Sequence, residues 1–514
     1  MAFLNNILEI FKYDLSRPML FNSGEFFLFY VIFIIIYTGI YRKKWWMSVW
    51  VILFSFFFYY KTSGWYLFIL VLTSITDFSF ALFLYKAKKK FWRVFWLILG
   101  IVPSMGLLAY FKYTNFLLAN WSEIIGRNFQ PLDIFLPVGI SFYTFQSVSY
   151  IVDVYTNKLK PTKNLLDYAF FLSFFPQLVA GPIVKAHHFL PQLERTPSVT
   201  KYDVYSGLWL IMIGLIKKAV ISDYIAQYND LIFASPQNYN GFENLMAIYG
   251  YTLQIYMDFS GYSDMAIGLG RVMGFDLGIN FRLPYQARNI TEFWRRWHIS
   301  LSTWLRDYIY IPLGGNRKGK IKQYRNLMIT MLLGGLWHGA DWKFVWWGGL
   351  HGIGLVIHKI LKPKLDKIPD IFPKKFVSWF ITFHFVIFLW IFFRMAPINI
   401  NQTRIITDEN GKKIEIVEQV KVNAFQASWI MVKKIFTDFD LRFAKPFYQA
   451  RHLWVILLII GFFAHTIPLD KYDKLIERFV KLPWIIKLII FILVVQFVIQ
   501  FSDQEVQPFI YFQF

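Results

Sequence analysis

The sequence of 514 residues contains no cysteine. This absence excludes a disulfide framework, a thiolate nucleophile and a cysteine metal site. The sequence also lacks a Gly-x-Ser-x-Gly nucleophile elbow, a Gly-x-x-x-x-Gly-Lys-Ser/Thr phosphate loop and a dinucleotide-binding glycine fingerprint. Enzymes built on any of these three motifs are therefore not indicated.

Metal ligands at suitable spacing are scarce as well. His351 and His358 could lie on one helix, but no carboxylate or thiol beside them completes a set of ligands. No internal repeat is apparent, which weakens the case for a transporter built from inverted repeats. The sequence therefore predicts neither a bound metal nor another bound cofactor.

Acidic residues are few, with 32 Asp and Glu against 54 Lys and Arg and a net charge of +22. In a soluble protein, this excess would suggest nucleic acid as a partner. Here the basic residues lie in short loops between apolar runs, as membrane topology and anionic lipids require. We therefore expect contact with membrane lipid and no binding of nucleic acid.

Long apolar runs occupy most of the sequence, which is 56% hydrophobic and 21% aromatic. A membrane-spanning helix needs about 20 mostly apolar residues. Clear examples of such runs are Phe26–Tyr41, Trp45–Tyr60, Trp65–Tyr85 and Trp484–Phe501. The expected fold is an all-α, polytopic transmembrane helical bundle, with residues 1–514 forming a single domain.

Basic loops alternate with loops that contain little lysine. The basic ones are Arg42–Lys44, Lys86–Lys90, Lys158–Lys163, Lys359–Lys375 and Lys471–Lys481. The positive-inside rule assigns these loops to the cytoplasm. Both termini are then expected on the extracytoplasmic side.

Two polar segments are expected outside the spans. Residues 1–23 have roughly helical apolar spacing and lack a signal-peptide cleavage site, which predicts an interfacial helix. Residues 399–451 are mixed in charge and are expected to form an extracytoplasmic insertion. This insertion is either a surface for a partner protein or polymer, or a tolerated loop.

The middle of the sequence, Leu165–His358, is less regular. Glycine, proline and charged residues interrupt its apolar runs at Phe174–Pro182, Gly250–Gly274, Phe293–Gly315 and Leu327–Gly352. Broken or re-entrant helices at membrane depth need cover from protein or a water-filled cavity. We therefore expect the chemistry in this part of the chain, with residues 290–360 as the catalytic core region.

His298 lies in a segment rich in tryptophan and arginine. On a continuous helix, Trp294, His298 and Ser302 would share one face. Arginines at such an interface can meet the phosphates of an acyl carrier or of lipids. A lipid-anchored amphipathic helix with a structural histidine is the alternative. The candidates for contact with an acyl donor or tunnel here are Arg295, Arg296, Ser302, Trp304, Arg306 and Asp307.

His338 follows an apolar run whose glycines, Gly334 and Gly335, allow close approach of helices. An imidazole in such surroundings is desolvated, and desolvation favours the neutral form that a general base requires. The alternative is a core histidine hydrogen-bonded to a backbone carbonyl. His338 is the candidate catalytic base, and Trp337 beside it is a candidate tunnel residue.

Two carboxylates, Asp258 and Asp264, lie within another apolar run. Gln254, Asp258 and Tyr262 are spaced four residues apart, so they can share a helix face. Buried carboxylates need partners. These residues form either a structural hydrogen-bond network or a proton or ion relay, and a relay would suit a transporter or channel.

Five motifs resemble those of the membrane-bound O-acyltransferase family and occur in the family's order. They are Leu136–Gln146, Val179–Ile183, Phe293–Gly315, Leu336–Ala340 and Trp346–Gly352. Within the family, the chain is similar to the alginate O-acetyltransferase branch, including its ending, Pro508–Phe514. This resemblance also implies a bacterial inner (cytoplasmic) membrane.

The resemblance implies a ring of helices around a tunnel that crosses the membrane. An acyl thioester, such as acetyl-coenzyme A, would enter from the cytoplasm, and an acceptor hydroxyl would enter from the other side. His338 matches the family's catalytic histidine, which would deprotonate the acceptor. His298 matches the second histidine, in a supporting role, and Gln146 in the first motif is a further tunnel candidate.

The function implied by the resemblance is O-acetylation of an exopolysaccharide, as in alginate biosynthesis. The acyl group would reach the polysaccharide directly or through a periplasmic or extracellular partner protein. D-Alanyl transfer to teichoic acid is the close alternative, because its enzymes look similar at both histidines. A transporter or channel that uses the buried carboxylates is the alternative of another class.

Overall fold

The computed structural model describes residues 10–14, 17–407 and 413–501. The predicted interfacial segment 1–23 is described only in part, because residues 1–9 and 15–16 lie outside the described residues. The ending Pro508–Phe514 also lies outside them. Among the described residues, the helices from Gly24 onward are numbered α1 to α20.

The first part of the chain consists of long helices joined by short loops. They are α1 (Gly24–Ile40), α2 (Lys44–Ser63), α3 (Leu67–Lys86), α4 (Lys90–Ile124) and α5 (Ile140–Tyr155).

The middle of the chain combines short and long helices. They are α6 (Leu165–Ser173), α7 (Phe175–Leu178), α8 (Ala186–Leu193), α9 (Lys201–Leu215), α10 (Asp223–Ala234), α11 (Gly241–Val272), α12 (Ile290–Arg296) and α13 (Ile299–Leu305). A π-helical turn, Ile216–Ser222, joins α9 to α10, and a second one, Arg306–Tyr310, follows α13.

The last part returns to long helices, with one hairpin among them. The elements are α14 (Lys320–His338), α15 (Trp342–Leu365), α16 (Phe372–Arg394), β1 (Ile398–Thr407), β2 (Lys413–Val422), α17 (Ala424–Thr437), α18 (Ala444–Thr466), α19 (Leu469–Lys481) and α20 (Trp484–Phe501).

Seven helical stretches of the described residues are long and apolar enough to cross a membrane. They are Lys44–Lys86, Lys90–Ile124, Lys201–Ala234, Trp342–Leu365, Phe372–Arg394, Leu441–Thr466 and Trp484–Phe501. Many of their leucine, isoleucine and phenylalanine side chains are exposed, as expected for surfaces that face lipid tails. The predicted polytopic helical membrane protein is confirmed.

Helix α11 forms the centre of the bundle and packs against α9, α10, α16, α17 and α18. Its start is fixed by a capping box, in which Asn240 and Glu243 each bond the other's backbone N–H. From there it continues for 32 residues, and most of its side chains are buried. The prediction that Gly250–Gly274 is a broken span is therefore wrong.

The glycines of α11 instead allow neighbouring helices to pack closely against it. A Cβ on Gly268 would lie 2.6 Å from the Gly207 carbonyl oxygen, and one on Gly214 would lie 2.5 Å from the Gly261 carbonyl oxygen. Such distances leave no room for a side chain, so α9 and α11 meet backbone to backbone. The partners of the glycines lie in a different helix, and the local sequence gave no sign of them.

The segment 399–451 contains regular secondary structure. Strands β1 and β2 pair antiparallel, from Ile398 opposite Val422 to Thr407 opposite Lys413. Helix α17 follows, capped by Asn423 and Gln426. Within the part of the chain that the structure describes, the hairpin is the exception to the all-α prediction, and its extracytoplasmic location stays a prediction.

Candidate active site

His338 is the last residue of α14 and is 3% exposed. The helix ends there because Gly339 takes an extended conformation, and Asp341 then caps α15 by accepting a hydrogen bond from the Lys343 N–H. Aromatic rings surround the imidazole. The ring centroids of Trp337, Trp347 and Phe393 lie 5.1, 5.0 and 5.3 Å from that of His338.

Helix α4 holds the carboxyl end of α14. The Lys112 ammonium donates to the carbonyl oxygens of Trp337 and His338, the latter at 3.3 Å. The Tyr113 hydroxyl donates to the Leu336 carbonyl at 2.9 Å. The last carbonyls of a helix have no partner within the helix, so α4 supplies the missing donors and fixes the backbone that carries His338.

A pocket of about 90 Å³ opens beside His338. Residues 136–142, which belong to the first of the five family motifs, form much of its wall. Gly139, the residue before α5, has a φ of 77°, and a Cβ there would lie 2.4 Å from the Leu178 carbonyl oxygen. This turn requires glycine for both reasons, so the motif shapes the pocket next to the candidate base.

His298 lies at a break between two short helices and is fully buried. Its φ of 43° is left-handed, a conformation that few non-glycine residues adopt. The prediction that Trp294, His298 and Ser302 share the face of one helix is therefore wrong. Backbone bonds from a neighbouring segment hold the break, since the Ile299 N–H donates to the Asn280 carbonyl at 2.9 Å.

Asn280 also determines which ring nitrogen of His298 carries a proton. The Ser300 backbone N–H points to the Asn280 Oδ1 atom at 3.3 Å, so this atom is an acceptor. His298 Nδ1 lies 3.1 Å from the same oxygen and must therefore donate to it. In the neutral ring, the lone pair is then on Nε2.

Both histidines lie close to one tryptophan. The Trp337 ring centroid is 5.9 Å from that of His298 and 5.1 Å from that of His338. Phe145 connects this cluster to α13, because its ring stacks on Trp304 at 3.8 Å. The structure therefore brings together four of the candidate residues, His298, Trp304, Trp337 and His338, and their roles stay a prediction.

Gln146, another predicted tunnel residue, is fully buried on α5. Neither polar atom of its side chain has a hydrogen-bond partner within the described part of the chain. Buried amides normally have partners, either protein or water. Gln146 thus has free hydrogen-bonding capacity one residue from the Phe145 ring that packs on the site.

The predicted arginines lie nearer the surface. Arg295 and Arg306 are exposed. Arg306 pairs with Asp307 at 2.8 Å, and Arg296 pairs with Glu292 at 2.7 Å. Ser302 donates to the Trp297 carbonyl at 3.3 Å. The structure therefore does not bring these side chains to the buried histidines.

Asp307 forms a second ion pair, with Lys185 at 2.5 Å. The two remaining predicted carboxylates belong to a separate cluster at the junction of α9 and α10. Asp258 lies 2.6 Å from the Lys218 ammonium, and Asp264 lies 2.6 Å from that of Lys217. Sequence reasoning missed both lysines, which come from a different helix.

Three residues of the site were not predicted. Lys112 interrupts a long apolar helix, and a charge in a span is a signal that could have identified it. His351 belongs to one of the family motifs but was given no role other than that of a possible metal ligand, yet its ring lies 4.7 Å from that of Trp347. Asn280 lies in a loop and gives no sequence signal, since its role depends on contacts with His298.

Comparisons with known proteins agree with one another. Residues 157–400 match the sequence profile of MBOAT, the membrane-bound O-acyltransferase family. The peptidoglycan O-acetyltransferase of Helicobacter pylori is 40% identical over 373 residues, which are 68% of this chain and 71% of the relative. A probable alginate O-acetylase of Pseudomonas putida is 38% identical over 432 residues, or 82% of this chain and 84% of the relative.

A more distant similarity extends to a different acyl group. The teichoic acid D-alanyltransferase of Bacillus subtilis is 29% identical over 280 residues, which are 52% of this chain and 71% of the relative.

Proposed function

The chain belongs to the membrane-bound O-acyltransferase family, and from that premise we propose that it transfers an acetyl group from a cytoplasmic thioester to a hydroxyl of an extracytoplasmic polysaccharide. It is a multi-pass membrane O-acyltransferase. The acetyl group and the thioester donor, acetyl-coenzyme A or a similar carrier, belong to the proposal.

One observation carries the proposal: His338 is buried among aromatic rings and still lines a pocket. A neutral imidazole in apolar surroundings is a suitable general base. The pocket is large enough for one hydroxyl-bearing group of a polymer. A base held in place by α4 beside such a pocket can take the proton of an acceptor hydroxyl.

The charge pattern supports an extracytoplasmic acceptor. Helix α14 begins at Lys320, after the basic residues Arg317 and Lys318. The positive-inside rule assigns this end to the cytoplasm. The helix has 19 residues, so at roughly 1.5 Å per residue His338 lies about 28 Å along the helix from its basic end, and we propose that it faces the extracytoplasmic side.

Acetyl transfer is favoured over D-alanyl transfer by the extent of the similarity. The relatives named for O-acetylation are 38% and 40% identical and are covered over 84% and 71% of their lengths. The relative named for D-alanylation is 29% identical and matches 52% of this chain. A polysaccharide acceptor is proposed on the same ground. The hairpin of β1 and β2 is the proposed contact for the polymer or for a partner protein.

The test is O-acetyl content of surface polymers from a deletion strain that carries each variant. We expect His338→Ala to lower acetylation by about 10²–10⁴-fold, the typical contribution of a positioned base. His298→Ala should lower it less, because a supporting residue leaves the base in place. His452→Ala, at an exposed histidine of α18, is the control and should match the wild type.

Normal acetylation by the His338→Ala strain would remove the enzyme mechanism proposed for this residue. D-Alanyl esters that disappear on deletion, with unchanged acetyl content, would favour the second reaction. A transporter would instead alter solute flux and leave both esters unchanged.

A further inference from the structure

Lys112 is a cation within α4, a helix that is otherwise long and apolar. A charged side chain inside a membrane span is costly and usually has a function. Part of its role is visible in the two carbonyl oxygens that it bonds at the end of α14. This contact explains how the ammonium is held, but a neutral donor could cap a helix equally well.

The position of Lys112 suggests a second role. Its side chain lines the pocket beside His338. An ammonium has three N–H donors, and the carbonyls of Trp337 and His338 take two of them. Among the described residues, no acceptor takes the third, which leaves this donor for a group bound in the pocket.

Three backbone donors in the pocket wall are already engaged. The Val138 N–H donates to the Ser63 hydroxyl at 3.0 Å. The N–H groups of Ile140 and Phe142 donate to backbone carbonyls of the same turn. Among the described residues that line the pocket, Lys112 and His338 are the ionisable ones, and Lys112 is the one that can place positive charge beside a neutral imidazole.

We propose that Lys112 is a catalytic residue whose ammonium stabilises the oxyanion formed when the acceptor hydroxyl attacks the thioester carbonyl. The inference rests on the proposed function, because it needs His338 as the base. Preorganised donors aimed at developing charge typically contribute 10²–10³-fold to a rate, more so in a site that excludes water.

The step balances as follows. The acceptor O–H bond breaks, its proton goes to His338, and the oxygen forms a bond to the carbonyl carbon. The carbonyl electron pair moves onto its oxygen, which Lys112 holds as an oxyanion. When the pair returns, the carbon–sulfur bond breaks, and the leaving thiolate takes the proton from His338. The products are an ester and a thiol.

The chain offers a matched control for the capping role. Lys343 donates its ammonium to the Met395 carbonyl at 2.9 Å, just beyond the end of α16. Like Lys112, it donates a hydrogen bond to a carbonyl at the end of a helix. Unlike Lys112, it does not line the His338 pocket. Tyr113→Phe removes a second bond to the end of α14 and leaves Lys112 in place.

The test uses inside-out membrane vesicles from the deletion strain, which contain the native acceptor. Acetyl-coenzyme A with a ¹⁴C-labelled acetyl group is added at several concentrations, and label in the polymer is measured per amount of enzyme. We expect Lys112→Met to lower kcat by 10²–10³-fold, with KM for the donor within about threefold of the wild type. Lys112→Arg, which keeps a cation, should recover at least about tenfold over Lys112→Met.

Lys343→Met and Tyr113→Phe should stay within about tenfold of the wild-type kcat. The inference is overturned if Lys112→Met falls no further than these two controls, or if Lys112→Gln restores the rate as well as Lys112→Arg does. An active Lys112→Met with an inactive His338→Ala would refute the role of Lys112 and leave the proposed function standing. Wild-type vesicles that incorporate no label would refute the proposed function itself.

Discussion

Asn280 connects three polar groups in the interior of the site. Its Oδ1 atom accepts from His298 and from Ser300, and its Nδ2 atom donates to the Ser263 hydroxyl at 3.1 Å. A histidine in a left-handed conformation needs such fixed partners, because its backbone conformation is itself unfavourable. The ring orientation of His298 therefore depends on a residue that precedes it by 18 positions.

Asn280→Ala should impair both folding and transfer. The substitution leaves the His298 and Ser300 donors buried without an acceptor, which costs about 1–3 kcal/mol for such a group. We expect a lower midpoint of thermal unfolding in detergent and a lower rate of acetyl transfer in vesicles. Asn280→Asp keeps the acceptor and should retain more activity than Asn280→Ala. Equal activity of the two variants would contradict the orienting role.

His188 and Asp276 form a pair outside the spanning helices, with Nε2 and Oδ2 3.4 Å apart. The hydrogen bond that the protonated His188 donates to the Asp276 carboxylate raises the pKa of His188 and lowers the pKa of Asp276. The histidine contributes stability below about pH 6.5 that is lost as pH rises through its raised pKa. The aspartate contributes stability above about pH 4 that is lost as pH falls through its lowered pKa.

Asp276→Asn should therefore loosen α8 more at pH 6 than at pH 8, because the stability that His188 contributes is lost as pH rises through its raised pKa. The effect is small, because both side chains are well exposed to solvent. Hydrogen exchange of the peptide that contains α8, measured by mass spectrometry at both pH values, provides the check. An effect larger at pH 8 than at pH 6 would contradict the assignment.

At the scale of elements, α14 and α15 approach each other closely at Gly335 and Gly348. The Cβ of an alanine at Gly348 would lie 2.3 Å from the Met331 carbonyl oxygen, whereas one at Gly349 would lie 3.4 Å from a side-chain carbon of Leu332. The first distance forces the helices apart, and the second is an ordinary contact. The contact between these two helices determines where His338 lies relative to Trp347.

Gly348→Ala should lower the free energy of unfolding by about 1–3 kcal/mol, as is typical for overpacking. It should lower activity as well. Gly349→Ala is the matched control and should be neutral or slightly stabilising, because alanine is the better helix former by about 1 kcal/mol. Thermal unfolding and vesicle transfer assays measure both effects. Similar losses in the two variants would show that the close approach of α14 and α15 is not decisive.

The elements also show which predictions the sequence could support. The spans and His338 could be predicted because each is marked by a local pattern. An apolar run marks a span, and a polar residue that interrupts such a run marks His338. The break at His298 depends on bonds from the segment around Asn280, and the spacing of Trp294, His298 and Ser302 is equally compatible with a continuous helix. The ion pairs of Asp258 and Asp264 depend on two lysines of the π-helical turn between α9 and α10, which no spacing within α11 can indicate.

For the whole molecule, the absence of cysteine makes the orientation easy to test. Single cysteines can be introduced without removing any native one. Lys367→Cys, in an exposed loop between α15 and α16, should be protected from a membrane-impermeant maleimide in intact cells. Lys421→Cys, exposed on the hairpin, should be labelled. The reverse pattern would invert the predicted topology.

The length of α14 has a consequence for the choice of donor. Under the proposed function, the basic end of α14 faces the cytoplasm, and the helix sets His338 about 28 Å from that end, at roughly 1.5 Å for each of its 19 residues. The proposed function therefore predicts a preference among donors. A thioester on a long, thin stem should reach the base while its bulky headgroup stays behind, whereas an acetyl group on a short thiol should not be used.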